Sequence, residues 1–481
     1  MQHNKVGELK LFKLFGHFSL LISLLFITSL NAKSFEDFKR SESQSFKAYK
    51  DERDRAFNKY LLQHWKIYDV QNSTPLYEKS KPRDIIRTTE KKLKPVGPKI
   101  SINIKKTSQE KPISDEKSKE KKDINFDFFG SYQEFNIPSE IKEANFYPQN
   151  QKGISNFFSK VASSEYEGLI SNIKNVSKKM DLNDWGVYLL VVKISNTLFT
   201  NQDNSRLFSW FIFNKMGYAV KIGLANKHIV LMHYSKKTIY STPNYKFKNK
   251  KYYVVANYAK GDIGRVFSYE QEYPGSNKEL DLSLEKLPKL PLSIKKKTLE
   301  FKHFGNIYSV PYEYNENIID FMATYPQADY ETFFNAPLEY RTYKSIAISL
   351  KKYIDGKKAS DALNFVLNFV QKAFQYERDN KQFGREKVMF AQETLFFDKS
   401  DCEDRAVLFS YLVKELFSIG IIGVKYKNHM ATALNVPIEG DTVRVGAKKF
   451  VLADPTYINA TIGMSMLEYK KVKPQSYVIV K

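Results

Sequence analysis

Three residues in the C-terminal third have types and settings that suit acyl transfer: Cys402, His429 and Asp454. Cys402 is the only cysteine of the chain. It lies in a polar run, Ser400-Asp401-Cys402-Glu403-Asp404-Arg405, where apolar packing gives little reason for it. A thiolate nucleophile needs a general base, and the base needs an acceptor to orient it. His429 opens the run HMATALNV, and Asp454 ends the apolar run FVLA just before Pro455. Each residue alone is weak, since a lone His is more often structural and Asp before Pro is usually a turn. Together they read as nucleophile, base and orienting acid.

The elements that must position them are legible nearby. Val407, Leu408, Tyr411, Leu412 and Leu416 recur at helical spacing, so Cys402 sits in the first turn of a buried-face helix. Free N–H groups and the helix dipole there favour a thiolate, while the charges of Asp401, Glu403 and Asp404 oppose it. HMATALNV alternates as a strand starting at His429, and Pro455 stops a second strand with Asp454 at its tip. An oxyanion donor is also needed. The Cys402 N–H is one candidate and Gln392 a second, though Gln392 equally suits a solvated loop.

The strings DCEDRA, NHMATAL and LADPTY, in this order, resemble the transglutaminase-like superfamily, a circularly rearranged branch of the papain-like fold. The clear resemblance covers about residues 339–481. It implies Cys402 as nucleophile, His429 as base and Asp454 as acid, acting on amide carbonyls with water or an amine as acceptor. No cofactor is required by that chemistry. In one bacterial branch sharing DCED, acids flanking the Cys are linked to calcium. The resemblance thus marks Asp401 and Glu403 as ligands for Ca²⁺, although two ligands are too few for a site and helix capping is the alternative.

Residues 1–32 read as a signal peptide: Lys5, Lys10 and Lys13 precede an apolar run from Phe18 to Leu30, with Ala32 at a cleavage position. The alternative is an uncleaved anchor. Export, periplasmic or secreted, argues against a nucleic-acid partner despite a net charge of +23. It leaves peptides, proteins, cell-wall peptidoglycan or an anionic envelope surface as partners, with no stable transmembrane segment after signal cleavage. A single cysteine excludes an intramolecular disulfide and a multi-cysteine metal site. No phosphate-cradling glycine loop, HExxH or Ser-nucleophile elbow occurs.

The rest of the chain organises around this unit. Residues 33–70 predict an amphipathic helix, because Phe35, Phe46 and Phe57, and likewise Phe38, Tyr49 and Tyr60, recur every eleven residues. Residues 71–125 carry 15 Lys+Arg against 8 Asp+Glu, five Pro and one aromatic, Tyr77, which predicts a disordered basic linker. Residues 126–260 echo the catalytic unit. Ser209-Trp210 and His228 precede Ser410-Tyr411 and His429 by 201 positions, which sets Asn201 opposite Cys402; at an offset of 197, Asn257 faces Asp454. This predicts a degenerate copy without a nucleophile. A β-rich middle, 261–335, and the catalytic domain, 336–481, complete an α+β chain with two papain-like units. The rival to an amide hydrolase or transamidase is a non-enzymatic envelope scaffold built on the same folds.

Overall fold

The computed structural model describes residues 51–71, 74–77, 79–104, 122–255 and 263–481. The chain divides at Gln63. Of the first unit, helix α1 (51–61) is described, with Phe57 and Leu61 buried and Tyr60 half-buried. The signal-peptide reading, the first eleven-residue block and the start of the second, residues 45–50, fall outside the described residues. The helix does not run on to residue 70. Trp65–Tyr68 is instead strand β1. Trp65 meets the rings of Phe267 and Tyr269 at 5.5 and 5.3 Å. A partner some two hundred residues away thus overrides the local helical period.

The second unit, His64–Lys481, is mixed α+β, with sheets curled into half-barrels. After β1 come a hairpin, β2 (Ile124–Phe128) and β3 (Ser131–Phe135), and the helices α2 (Ser139–Lys142), α3 (Gln151–Ala162), α4 (Glu167–Lys179), α5 (Asp184–Leu198) and α6 (Gln202–Lys215). Strands β4 (Val220–Ala225), β5 (His228–Tyr234), β6 (Asn244–Phe247), β7 (Lys250–Tyr253) and β8 (Val266–Tyr269) follow. A long hairpin, β9 (Ile294–His303) and β10 (Asn306–Asn315), then leads to α7 (Glu316–Ala323), α8 (Tyr330–Phe334), α9 (Tyr340–Ile354) and α10 (Ala359–Lys372). The C-terminal part holds β11 (Gln375–Tyr376), α11 (Asp379–Gln382), α12 (Ala391–Phe396), β12 (Lys399–Ser400) and α13 (Cys402–Phe417). It ends in β13 (Ile421–Lys425), β14 (Met430–Leu434), β15 (Thr442–Val445), β16 (Lys448–Ala453) and β17 (Ser476–Ile479).

The two main sheets repeat one topology. The first runs β1-β8-β4-β5-β7-β6; the second, read in the same sense, runs β17-β13-β14-β16-β15. Val220 pairs with His233 as Ile421 pairs with Leu434, a constant offset of 201. Asn244 pairs with Tyr253 as Thr442 pairs with Val451, an offset of 198. A helix leads each sheet, α6 and α13. Register is fixed where one face is buried, so equal registers mean equal inward-facing positions. The break expected at residue 260 is displaced, because β8 belongs to the first sheet, beside β4. The span 261–335 is also not uniformly β, since it contains α7 and α8.

The reading of 71–125 as a disordered linker fails for residues 79–104, which run as a strap over the C-terminal part. Thr88 donates its N–H to the Ile458 carbonyl, and Ile458 donates to that of Ile86. Ile100 likewise donates to Lys357. Leu76, Tyr77, Lys81 and Ile102 are buried. Composition averaged over the segment hides these few anchors, and its backbone groups find their partners hundreds of residues away.

Candidate active site around Cys402

Helix α13 starts where its polar run predicts. Asp401 is the N-cap. The Asp404 carboxylate accepts from the Asp401 N–H at 3.0 Å and from the Met389 N–H at 2.8 Å. What the sequence does not show is burial. Every side chain from Ser400 to Arg405 is closed off from solvent, Cys402 included. Buried charge needs partners, and each charged side chain of this run has them.

Arg405 donates to the Ser400 hydroxyl at 3.0 Å, the Gln371 carbonyl at 3.0 Å and the Phe374 carbonyl at 2.9 Å. Burial lowers its pKa to about 10, so it remains charged at neutral pH. The acids converge on Lys81 of the strap. Its ammonium lies 2.5 Å from Asp401, 2.7 Å from Asp379, 2.8 Å from Glu403 and 2.9 Å from Glu386. Burial alone would lower the Lys81 pKa; the charges of Asp401, Glu403 and Asp379 outweigh it and hold it well above the ordinary lysine value. Burial would raise Glu403, but Lys81 holds it down to about 2. Asp379 and Asp404, pressed by burial and by neighbouring carboxylates, rise to about 8 and about 7.

The Cys402 thiol donates to Glu403 Oε2 at 3.1 Å, and the Tyr77 hydroxyl sits 4.0 Å from the sulfur while donating to the same carboxylate oxygen. Burial, then the charges of Glu403 and Asp401, pushes the thiol pKa well above the usual range. The helix dipole therefore does not win here: burial and the adjacent Glu403 carboxylate outweigh a half charge at a helix terminus. This makes a prediction with a definite sign. A raised pKa leaves less thiolate at pH 8, so iodoacetamide should label native Cys402 at least ~10-fold more slowly than a free thiol. The rate should still be climbing above pH 9. A plateau below pH 8 would contradict this arrangement.

His429 and Asp454 meet as expected. Nε2 of His429 lies 2.8 Å from Asp454 Oδ2. A carboxylate only accepts, so Nε2 carries a hydrogen, and in the neutral ring Nδ1 carries the lone pair. Nδ1 is buried and has no hydrogen-bond partner. Asp454 is fixed from below: its Oδ1 accepts from the Thr456 and Tyr457 N–H groups. The fully buried Gln371 donates its side-chain amide to the Asp454 and Ala460 carbonyls. Tyr469 lies against the His429 ring, 4.8 Å between centroids at 20°. Burial, and after it the charge of Glu468, pushes the Tyr469 pKa up. Helix α13 packs directly on strand β14. Cys402, His429 and Asp454 are thus all buried, on elements that pack together, with no hydrogen bond between Cys402 and His429.

Other expected site residues differ. Gln392 is buried on α12 rather than on a solvated loop; its Oε1 accepts from the Glu339 N–H at 2.8 Å and its Nε2 has no hydrogen-bond partner. The position between Asp401 and Glu403 is filled by the Lys81 ammonium. As arranged, both carboxyl groups pair with this amine, and no catalytic step is derived through Ca²⁺. In the first copy Asn201 is the N-cap of α6, accepting from the Asp203 and Asn204 N–H groups. Aligned by helix starts, Gln202 rather than Asn201 stands where Cys402 does, and neither carries a thiol. His228 is largely exposed and pairs through Nδ1 with Asp203 at 2.9 Å, unlike the enclosed His429. Asn257 lies outside the described residues. Sequence reasoning missed Tyr77, Lys81, Asp379, Glu386, Gln371, Arg405 and Tyr469. The one signal was Tyr77, the lone aromatic of an otherwise basic segment.

Comparison with known proteins gives no match to a family model, a curated protein or a solved structure.

Proposed function

We propose that the chain is an exported cysteine-dependent amide hydrolase or transamidase of transglutaminase-like type, with Cys402, His429 and Asp454 as its triad. The single observation that supports this reading is the His429–Asp454 pair, closed at 2.8 Å, with His429 Nδ1 buried and unpartnered at the head of a strand that packs on the helix bearing the only cysteine. A buried imidazole nitrogen left without a partner is costly, which favours a base held in readiness over a packing residue.

The chemistry follows from the atoms. The Cys402 proton passes to His429 Nδ1, and the sulfur attacks the amide carbon. The imidazolium then protonates the leaving amine as the C–N bond breaks, which leaves a thioester on Cys402. Water, losing its proton to Nδ1, attacks the thioester; the acid product leaves and the sulfur takes its proton back. An amine in place of water gives transamidation. Asp454 supports the imidazolium and fixes its tautomer. In this cycle the thiol, hydrogen-bonded to Glu403 in the structure, turns away from that carboxylate to react.

The test is acyl-enzyme capture. Incubated with peptide and cell-wall fragment amides, the protein should gain a thioester mass on Cys402. His429→Ala should slow its formation by ~10³-fold or more, and Asp454→Asn by ~10²–10⁴-fold. Acylation that does not depend on His429 would overturn the triad. The rival reading, a binding scaffold without chemistry, is favoured by one observation, the complete burial of Cys402. It predicts no thioester with any amide even after the strap is loosened.

A further inference from the structure

We infer that the carboxylate cage of Asp379, Glu386, Asp401 and Glu403 beside Cys402 is a subsite for a primary ammonium group on the substrate, and that Lys81 is its built-in occupant. The inference rests on the proposed acyl-transfer reading and adds a substrate class to it.

The cage is over-supplied with acid for a structural lysine. Four carboxylates lie within 2.5–2.9 Å of one ammonium. Asp379 Oδ1 and Asp401 Oδ1 are buried and accept no hydrogen bond. Buried pairs of this kind are seldom a gain in stability over apolar packing, so packing alone does not account for them. The cage also directly adjoins the nucleophile: Glu403 accepts from Lys81 through Oε1 and from the Cys402 thiol through Oε2.

The occupant arrives as a peptide substrate would. Residues 79–90 contain no helix or strand and cross all three parts of the site. Lys79 donates to the carbonyl of Lys427, two residues before His429. Lys81 enters the cage at the start of α13. Ile86 and Thr88 bond to Ile458, four residues beyond Asp454. A chain with its backbone held at both ends and one lysine side chain inserted next to the thiol has the form of a bound substrate. The cage also keeps its amine protonated, since the carboxylates hold the Lys81 pKa high. A protonated amine is no nucleophile, so the subsite recognises a cationic side chain, such as that of lysine or another diamino acid, rather than activating an acceptor.

The full-length Lys81→Ala chain tests this by chemical rescue. n-Butylammonium chloride should raise its melting temperature by several degrees over sodium chloride of equal ionic strength, and slow Cys402 alkylation in parallel. Equal effects of the two salts would overturn the inference. Stabilisation by CaCl₂ but not by butylammonium would also overturn it, in favour of a metal. Should Lys81→Ala not fold, Glu90→Arg carries the test. Glu90 ties the strap to Lys372 and His303 away from the cage, so this change loosens the strap and leaves the cage intact. A synthetic peptide of residues 76–90 should then protect Cys402 at about 10-fold lower concentration than the same peptide with norleucine in place of Lys81. Equal protection would overturn the inference. Adding His429→Ala separates the two readings: alkylation of the freed thiol that ignores His429 removes the triad but leaves the ammonium result standing.

Discussion

Cys402→Ala should abolish acyl transfer, by at least ~10⁴-fold, while the protein melts within a few degrees of wild type. The loss is large because no second thiol exists and no serine or threonine hydroxyl bonds to His429 Nδ1. The structural cost is small because the sulfur makes one short hydrogen bond, to Glu403 Oε2, and one long one, with the Tyr77 hydroxyl at 4.0 Å, and Tyr77 still donates to the Glu403 oxygen. Removing one buried atom leaves a small void, on the order of 1–2 kcal/mol. The measurement is a paired one: thioester formation by intact mass, and thermal melting by circular dichroism. Undiminished turnover in the variant would end the thioester mechanism. Loss of activity together with unfolding would show that Cys402 is chiefly a core residue.

Arg405→Leu should cost about 3–5 kcal/mol in urea unfolding, a larger structural effect than any change to the triad itself. Arg405 is fully buried, and its three hydrogen bonds go to Ser400, Gln371 and Phe374. Leucine fills a similar space but strands two carbonyls and a hydroxyl without donors, and unsatisfied buried groups cost about 1–3 kcal/mol each. The damage should also reach the chemistry. Gln371 accepts from Arg405 through its backbone and holds the Asp454 carbonyl through its side chain. One residue therefore ties the helix that starts at Cys402 to the loop of Asp454. Thioester formation in residual folded protein should fall with stability, and Arg405→Lys should recover only part of either. A variant within 1 kcal/mol of wild type would refute this account of the buried guanidinium.

The elements that carry Cys402, His429 and Asp454 were legible because their signals are local. A 3.6-residue period placed Cys402 at the start of a helix, a two-residue period placed His429 at the head of a strand, and Pro455 stopped the strand at Asp454. The duplicated sheet was legible too, as an echo at an offset of 201, though the register shows 198 rather than 197 for its second hairpin. Helix α8 and the short α12 were missed, since one or two turns hold too few positions to show a period.

What the sequence by itself determined, then, is which residues could react and on which elements they stand. Only the tertiary structure decided their charge states and access. The polar run around Cys402 reads as exposed, yet it is sealed, because Lys81 arrives from more than three hundred residues away to compensate its acids. The thiol that a helix terminus should ionise keeps its proton, because burial and two adjacent carboxylates outweigh the dipole. A segment whose composition reads as disordered is fixed across the site by a few backbone bonds. Periodicity acts between neighbours along the chain and so can be read from it. Desolvation and Coulomb energy depend on which groups meet in space, and folding alone sets those distances.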